Sequence, residues 1–436
     1  MNDMNSLRIE FEWQDPGGAR GEELRATWAS LSVFIENHPV TELLDTKTKS
    51  VRSSIFLPLF PLAEWIADNW WFLQAEAERP DNTKDIEFDR RHSFRWAREG
   101  FVLPSLRFVA LGKSVAAQWQ PLEIPDAGIR FLSSGNAVLD ARVFTERLRE
   151  FVNAVIARIE ESGVTGTTLQ EQWLAIENTD TQEREFCHAS ARLGVDPYAV
   201  QDQLEAKILD VAGTIRAELL DDFLSLANIN NLTDQARELK SASEAISDDA
   251  DSVDALTAIR HHAPQVAQGA NPWEIGYLFA TQLRRALNGG NWKSPSLVEL
   301  AGYLNIDELD HCLLPKPSDC QFFDALTGTN QRNTPKFIIE KKRPDSRQFA
   351  FCRAMFEHLT LPQGRFAAVS RLRTERQQMN RAFAAEFLAP HSMLKRDLSA
   401  ATVGEDEIED LAAEYGVSPF VIHHQIENHR LARISI

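Results

Sequence analysis

The sequence has few cysteines and no long apolar run, and both absences narrow the class of protein. Its four cysteines lie far apart among 436 residues and form no C-x-x-C pair, so we expect reduced, mostly buried thiols. No run approaches the roughly eighteen apolar residues of a transmembrane helix. The first residues, MNDMNSLRIEFEW, carry no basic region followed by an apolar one, so no signal peptide is expected. These features predict a cytoplasmic protein without a membrane partner.

Positive charge is also scarce. The chain has 46 Lys and Arg against 64 Asp and Glu, a formal net charge of −18, which argues against non-specific nucleic-acid binding by the whole surface. Net charge does not exclude a local basic patch, which depends on where the arginines and lysines lie in the sequence. Hydrophobic residues make up 43% and charged residues 25%, values typical of globular proteins, and the length is enough for two to four domains.

The N-terminal region, residues 1–140, is predicted to be an α+β domain. Residues 7–60 are predicted to form strands, because LRIEFEW alternates apolar and polar residues and ATWASLSVFIE continues in β-forming residues. Pro58 makes the last of these segments an edge strand or a transition. From Pro61 the period becomes helical, and Trp65, Trp70 and Trp71 are predicted to pack a core helix on the sheet.

The rest of the chain is predicted to be mainly helical. Residues 141–260 show helical periodicity and form a predicted helical domain, and residues 272–436 form a third region. That region begins with two amphipathic helices, continues with a strand pair turning near 329–333, and ends in further helices. The predicted fold class is therefore α+β, mainly helical, with three domains.

One basic cluster lies at DRRHSFRWAREGF. Arg91, Arg95 and Arg98 would share a helical face, a geometry suited to phosphate or carboxylate groups. They are candidates for binding a partner, including a nucleic acid. The alternative, which we favour, is that the cluster pairs internally with the acidic residues around it.

Two helices separated by a short polar link dominate residues 346–390. Apolar residues at Phe349, Cys352, Phe356 and Leu359 line one face of the first helix, from about 347 to 359. The second, from about 374 to 388, ends at Pro390. Its apolar residues are Met379, Phe383, Phe387 and Leu388.

This stretch resembles the ImmA/IrrE family of zinc metallopeptidase-like proteins. The family has an F-x-x-A-H-E-x-x-H helix and a second helix ending roughly A-N-x-F-A-A-x-L-L-x-P. The second pattern is matched by Asn380, Phe383, Ala384, Ala385, Leu388 and Pro390. The resemblance covers roughly residues 272–436 and implies a metallopeptidase-like domain there.

The family's metal ligands are missing. His-Glu-x-x-His is replaced by Arg353-Ala354-Met355-Phe356-Glu357, and arginine, which only donates hydrogen bonds, cannot ligate zinc. The family's third ligand falls near Glu375 and Gln378. We expect a pseudo-active site of Arg353, Glu357, Glu375, Gln378 and Asn380, with no zinc and an i,i+4 ion pair between Arg353 and Glu357.

The C-terminal residues leave two other functions open. Two helices joined by a turn near Gly416 have the outline of a helix-turn-helix, which keeps a DNA-binding regulator open. A working zinc endopeptidase that cleaves a repressor would need ligands from elsewhere, such as His358, His391, Glu375 or His423; His423 and Glu427 are spaced i,i+4.

The resemblance implies a regulatory role. ImmA/IrrE proteins are bacterial and are associated with mobile elements, stress response and phage-related regulators. We therefore expect a catalytically inactive regulator or sensor that binds a protein partner and needs no cofactor, with zinc as the alternative. The predicted strand at 336–340, which borders the substrate groove in the family, is expected to capture an extended segment of that partner by strand addition.

Overall fold

A computed structural model describes most of the chain, namely residues 6–16, 19–79, 85–97, 100–249, 251, 256, 259–260, 271–287, 290–306, 309–315 and 323–435. The predicted class, α+β and mainly helical, is confirmed. The chain divides into two compact units, Met1–Asp202 and Gln203–Ile436. The predicted region 1–140 belongs to the first unit and 272–436 to the second, whereas 141–260 contributes to both. None of the described helices combines the length and the apolar character needed to cross a membrane.

The strands of the first unit form small antiparallel sheets. They are β1 (Leu7–Trp13), β2 (Trp28–Ile35), β3 (His38–Pro39), β4 (Leu43–Asp45), β5 (Ser50–Arg52), β6 (Ile55–Pro58), β7 (Ser105–Ala110), β8 (Ser114–Gln120), β9 (Leu122–Ile124), β10 (Ile129–Phe131) and β11 (Gly135–Asp140). The orders are β1-β2-β3 with β6 also on β2, then β5-β4-β10-β9, and β11-β8-β7. In the described chain β6, which ends at Pro58, pairs only with β2, as expected for an edge strand.

The helices of the first unit pack on these sheets. They are α1 (Glu22–Ala26), α2 (Phe60–Asp68), α3 (Trp70–Ala75), α4 (Ile86–His92), α5 (Ala141–Glu161), α6 (Thr168–Asn178) and α7 (Thr181–Arg192). Trp65, Trp70 and Trp71 are buried, so their predicted core role is confirmed. The Asp140 carboxylate caps α5 by accepting from the backbone N–H of residues 142 and 143, and the apolar face of α5 joins the same core as the strands.

The helices of the second unit from residue 272 onward contribute to a core separate from that of the first unit. The helices of the whole second unit are α8 (Asp202–Thr214), α9 (Ala217–Leu226), α10 (Leu232–Asp248), α11 (Pro272–Ala286), α12 (Leu297–Tyr303), α13 (Pro344–Thr360), α14 (Glu375–Leu388), α15 (His391–Asp397), α16 (Glu405–Tyr415) and α17 (Pro419–Asn428). Its strands are β12 (Leu313–Leu314), β13 (Ala325–Thr329), β14 (Pro335–Ile339), β15 (Ala367–Val369), β16 (Thr402–Val403) and β17 (Arg433–Ile434). The predicted strand pair is β13 and β14, with its turn at 330–334.

The sheet beside the motif helix has the order β12-β14-β13-β15. β14 therefore has β12 parallel on one side and β13 antiparallel on the other. Because both of its edges already pair, the predicted strand addition along residues 336–340 is wrong. The side chain of Lys336 is fully buried and its Nζ contacts Asp249.

The two motif helices are α13 and α14, and both form where the sequence predicts them. The Thr374 hydroxyl caps α14 by accepting from the backbone N–H of Gln377. The helices are held together by aromatic contacts, among them Phe356 on Phe383 with ring centroids 5.1 Å apart. The predicted helix pair near the C-terminus also forms: α16 ends at Gly416, whose φ of 64° is left-handed, and α17 follows.

Candidate functional site

The guanidinium of Arg353 lies at the position that the resemblance aligns with the first histidine of the ImmA/IrrE motif, and it donates hydrogen bonds to four acceptors. Its Nε donates to Asn380 Oδ1 at 2.8 Å and its Nη1 to Asp324 Oδ2 at 3.0 Å. Its Nη2 donates to Ser370 O at 2.6 Å and to Gln377 Oε1 at 2.8 Å. The residue is buried. Such a planar fork, held by four acceptors, fixes the side chain in place.

Glu357, one turn further along α13, is buried with different partners. Asn380 Nδ2 donates to its Oε1 at 2.6 Å, and Arg376 Nη1 lies 2.8 Å from its Oε2. Arg376 also contacts Asp222 through Nη2. The predicted ion pair between Arg353 and Glu357 does not form, because each finds a charged partner on another segment. Asn380 joins the two by bonding to both.

The network is anchored to the backbone of β15 and of the residue after it. Gln377 Nε2 donates to Ala368 O at 2.8 Å, and the N–H of Ser370 donates to Gln377 Oε1 at 3.0 Å. Asp324, just before β13, also contacts Lys341 Nζ at 2.5 Å. Two motif helices and the edge of a sheet are therefore held by one buried polar network, which we call the motif network: Asp222, Asp324, Arg353, Glu357, Ser370, Arg376, Gln377 and Asn380.

Burial sets the electrostatics of the motif network. Removal from water raises the pKa of Glu357 to about 8, against the opposing effects of the Asn380 hydrogen bond and the Arg353 charge. Burial lowers the pKa of Arg353, and Asp324 and Glu357 act against it. Burial likewise lowers the pKa of Arg376 to about 10. All three shifts reflect the cost of charge in a water-poor site, which pairing reduces.

The motif network has no place for a family-type metal ion. Its carboxylates are engaged by arginines or an amide, and it contains no imidazole. In the described part of the chain, the His, Cys, Asp and Glu groups close enough to share an ion are Glu386 with His391 and His429, and His423 with His424 and Glu427. Neither includes a residue of α13. Ala354, at the position of the family's catalytic glutamate, has no group that could take a proton from water.

The sequence placed Gln378 and Glu375 in this site, and the structure uses Gln377 instead. Gln378 lies on the outer side of α14 and donates to Arg373 O at 2.7 Å; Glu375 is half-buried at the first helical position. Sequence reasoning also missed Asp324 and Asp222. Their contacts with α13 and α14 span 29 and 154 residues, so no local pattern could have shown them.

The arginine cluster of the first unit is paired internally. Arg91 binds Glu76 through two hydrogen bonds, Nε to Oε2 at 2.8 Å and Nη2 to Oε1 at 2.5 Å. Arg95 contacts Asp89. The favoured interpretation, internal pairing, is confirmed for these two arginines, while Arg98 lies outside the described residues. His92 Nε2 lies 3.0 Å from Glu76 Oε2, which makes Glu76 the centre of a buried charge cluster.

The alternative zinc ligands do not meet at one point. His358 is buried on α13, and burial lowers the pKa of its ring to about 4. His423 is partly exposed on α17, with Nδ1 3.2 Å from Glu427. His391, after α14, contacts Glu386 and His429. His391 therefore lies in a partly buried cluster with Glu386 and His429, whereas His423 lies in a more exposed cluster with His424 and Glu427.

Comparison of the chain with protein-family models, curated proteins and solved structures gave no match. The resemblance to the ImmA/IrrE family therefore stays a prediction that depends on the residues of α13 and α14.

Proposed function

We propose that the chain is a bacterial regulatory or sensor protein that acts in the cytoplasm, with an ImmA/IrrE-like C-terminal domain that binds a protein partner and hydrolyses nothing through zinc. The observation that carries this proposal is the guanidinium of Arg353, held by four acceptors at the position of a zinc-binding imidazole. A link to mobile elements or phage defence is what the resemblance implies.

The motif network supports a non-catalytic role because its charges complement one another. Arg353 faces Asp324, and Arg376 faces Glu357 and Asp222. A hydrolytic site needs an open coordination position and a base near bound water. Here the corresponding space is filled by side chains of opposite charge, and the polar contacts between them join the two helices.

Hydrolysis and binding are tested with the full chain. The purified protein is assayed on unfolded proteins and a fluorogenic peptide library, with and without added zinc. We expect no cleavage above that of a reagent blank. The zinc content of the purified protein should be the same in the Arg353→Met variant. Cleavage that disappears in the Arg353→Met or Glu357→Gln variant would overturn the proposal.

Partner binding is tested with the same protein as bait, cross-linked in a lysate of the source cells. We expect a protein recovered intact and at a constant ratio to the bait over a range of bait concentrations. Recovery of nucleic acid without protein would favour the DNA-binding regulator, and recovery of specific fragments would favour the endopeptidase.

A further inference from the structure

Glu386, near the end of α14, is a buried carboxylate that forms no salt bridge with a lysine or arginine of the described chain, although the charge of the buried Arg284 guanidinium acts on it from a greater distance. Its side chain is 2% exposed. It accepts hydrogen bonds from Gln425 Nε2 at 2.8 Å, from the backbone N–H of His391 at 3.2 Å and from His391 Nδ1 at 2.7 Å. A buried carboxylate is most stable with a cation in direct contact, and the groups that can supply one at this position are an imidazolium and a metal ion.

A second imidazole approaches the same carboxylate. His429, at the end of α17, places Nε2 3.7 Å from Glu386 Oε2. This nitrogen is out of contact with solvent and has no hydrogen-bond partner, so its binding capacity is unused. The ring stacks on that of His391, with centroids 4.4 Å apart and planes 16° from parallel. One potential ligand atom from each of the three residues lies within 4.8 Å of the others.

We propose that Glu386, His391 and His429 form a binding site for a divalent transition-metal ion of the zinc class. Two imidazoles and one carboxylate are a ligand set that suits zinc and its neighbours, whereas calcium and magnesium prefer oxygen ligands throughout. A fourth position would remain for water, as in three-ligand zinc sites.

Metal binding requires a change in geometry, because the two imidazole rings are nearly parallel and must tilt before their in-plane lone pairs can meet at one ion. Ligand atoms on a tetrahedral zinc ion lie roughly 3.4 Å apart, given zinc–nitrogen distances of about 2.0–2.1 Å. The hydrogen-bonded distance from His391 Nδ1 to Glu386 must therefore open, and His429 must move closer. Gln425 holds the carboxylate in place from the other side, as supporting residues do in metal sites. The half-exposed ring of His391 gives an ion a route from solvent.

This site is separate from the motif network. Glu386 follows Asn380 by six residues, which places it about 120° around α14 at 3.6 residues per turn. A bound ion would join the end of α14, the start of α15 and the end of α17. Its failure and the failure of the proposed function are distinguishable, since the variants that decide the hydrolysis test, Arg353→Met and Glu357→Gln, leave these three ligands unchanged.

The test uses the full chain without a polyhistidine tag, freed of metal with a chelator. Zinc binding is measured by titration calorimetry, and cobalt(II) is added separately to record the absorption of a low-coordinate site. The variants are Glu386→Gln, His391→Gln and His429→Gln. The control is His423→Gln with His424→Gln, which removes the exposed cluster that also contains Glu427.

We expect one zinc ion per chain, higher thermal stability with zinc, and at least about tenfold weaker binding in each of the three variants. The control should bind like the unchanged protein. Absence of binding by the unchanged protein, equal binding by all variants, or loss in the control alone would overturn the proposal. If Glu386→Gln fails to fold, His429→Gln decides, because this ring is near the surface.

Discussion

Asp324 and Arg353 form a buried ion pair across 29 residues, with Nη1 donating to Oδ2 at 3.0 Å. Asp324 precedes β13, and Arg353 lies in the middle of α13. The pair therefore joins the motif helix to the sheet at the position that the sequence resemblance aligns with a zinc-binding histidine. In this chain the contact between a guanidinium and a carboxylate links the helix to the sheet, as shared metal ligands do in a structural metal site.

Removing Asp324 should be strongly destabilising. Asp324→Ala leaves the Arg353 guanidinium buried without its carboxylate, and breaking a buried pair in this way costs about 3–5 kcal/mol. Urea unfolding of the full chain measures the loss. Asp234→Ala is the matched control. Its partner Arg237 is largely exposed, and an exposed ion pair contributes little to the free energy of unfolding. Equal losses in the two variants would contradict a dominant role for Asp324.

The coupling energy should follow the observed contacts. A double-mutant cycle of Arg353→Met with Asp324→Ala should give about 1–3 kcal/mol, since the two groups are in direct contact. The corresponding cycle with Glu357→Ala should give less, because Asn380 lies between Arg353 and Glu357. A larger coupling energy for Glu357 than for Asp324 would contradict the observed contacts and support the i,i+4 pair that the sequence predicted.

Glu357 should make stability depend on pH. Its folded pKa of about 8 exceeds the ordinary 4.5, so the folded state binds this proton more tightly than the unfolded state. Its contribution is complete below about pH 4.5 and is lost as pH rises to about 8, at up to about 1.4 kcal/mol per pH unit. Relative to Glu357→Gln, the unchanged protein should therefore lose free energy of unfolding between pH 5 and 8. The opposite trend would mean that Arg376 holds the carboxylate ionised.

The arginine cluster should matter for stability. Arg91→Glu places a second carboxylate beside buried Glu76 and should cost about 3 kcal/mol or more in thermal or urea unfolding. Arg142→Glu is a control, because Arg142 is 95% exposed. If Arg91→Glu and Arg95→Glu left stability unchanged but abolished salt-sensitive DNA or RNA binding, the pairing would not be the role of the cluster.

Gly276 should be needed for the packing of α11 on α14. A Cβ at this position would lie 2.3 Å from Met379 O, and overpacking of this kind costs about 1–3 kcal/mol. We expect Gly276→Ala to lower the unfolding midpoint. Gly302→Ala is the control: it lies in α12 with open space around it, so alanine should stabilise by about 0.5–1 kcal/mol. Similar midpoints for both variants would contradict close helix packing.

The sequence by itself determined the elements of this protein. Alternation of polar and apolar residues predicted β1, and richness in β-forming residues predicted β2. The apolar spacing from Phe349 to Leu388 predicted α14 to within one residue and α13 to within three. These patterns are local, because burying one face of a helix or strand requires a fixed period. Residue chemistry alone also showed that the segment Arg353–Glu357 of α13 contains no His-Glu-x-x-His motif.

Tertiary structure decided which side chains share a site. The partner of Arg353 proved to be Asp324, and Gln377 took the place predicted for Gln378, since a rotation of one residue around a helix changes the face presented. The interior position of β14 depends on the two-residue strand β12, which is too short to be predicted. The convergence of Glu386, His391 and His429 likewise depends on α17 returning to α14. Such contacts arise from packing between distant segments, and no local period encodes them.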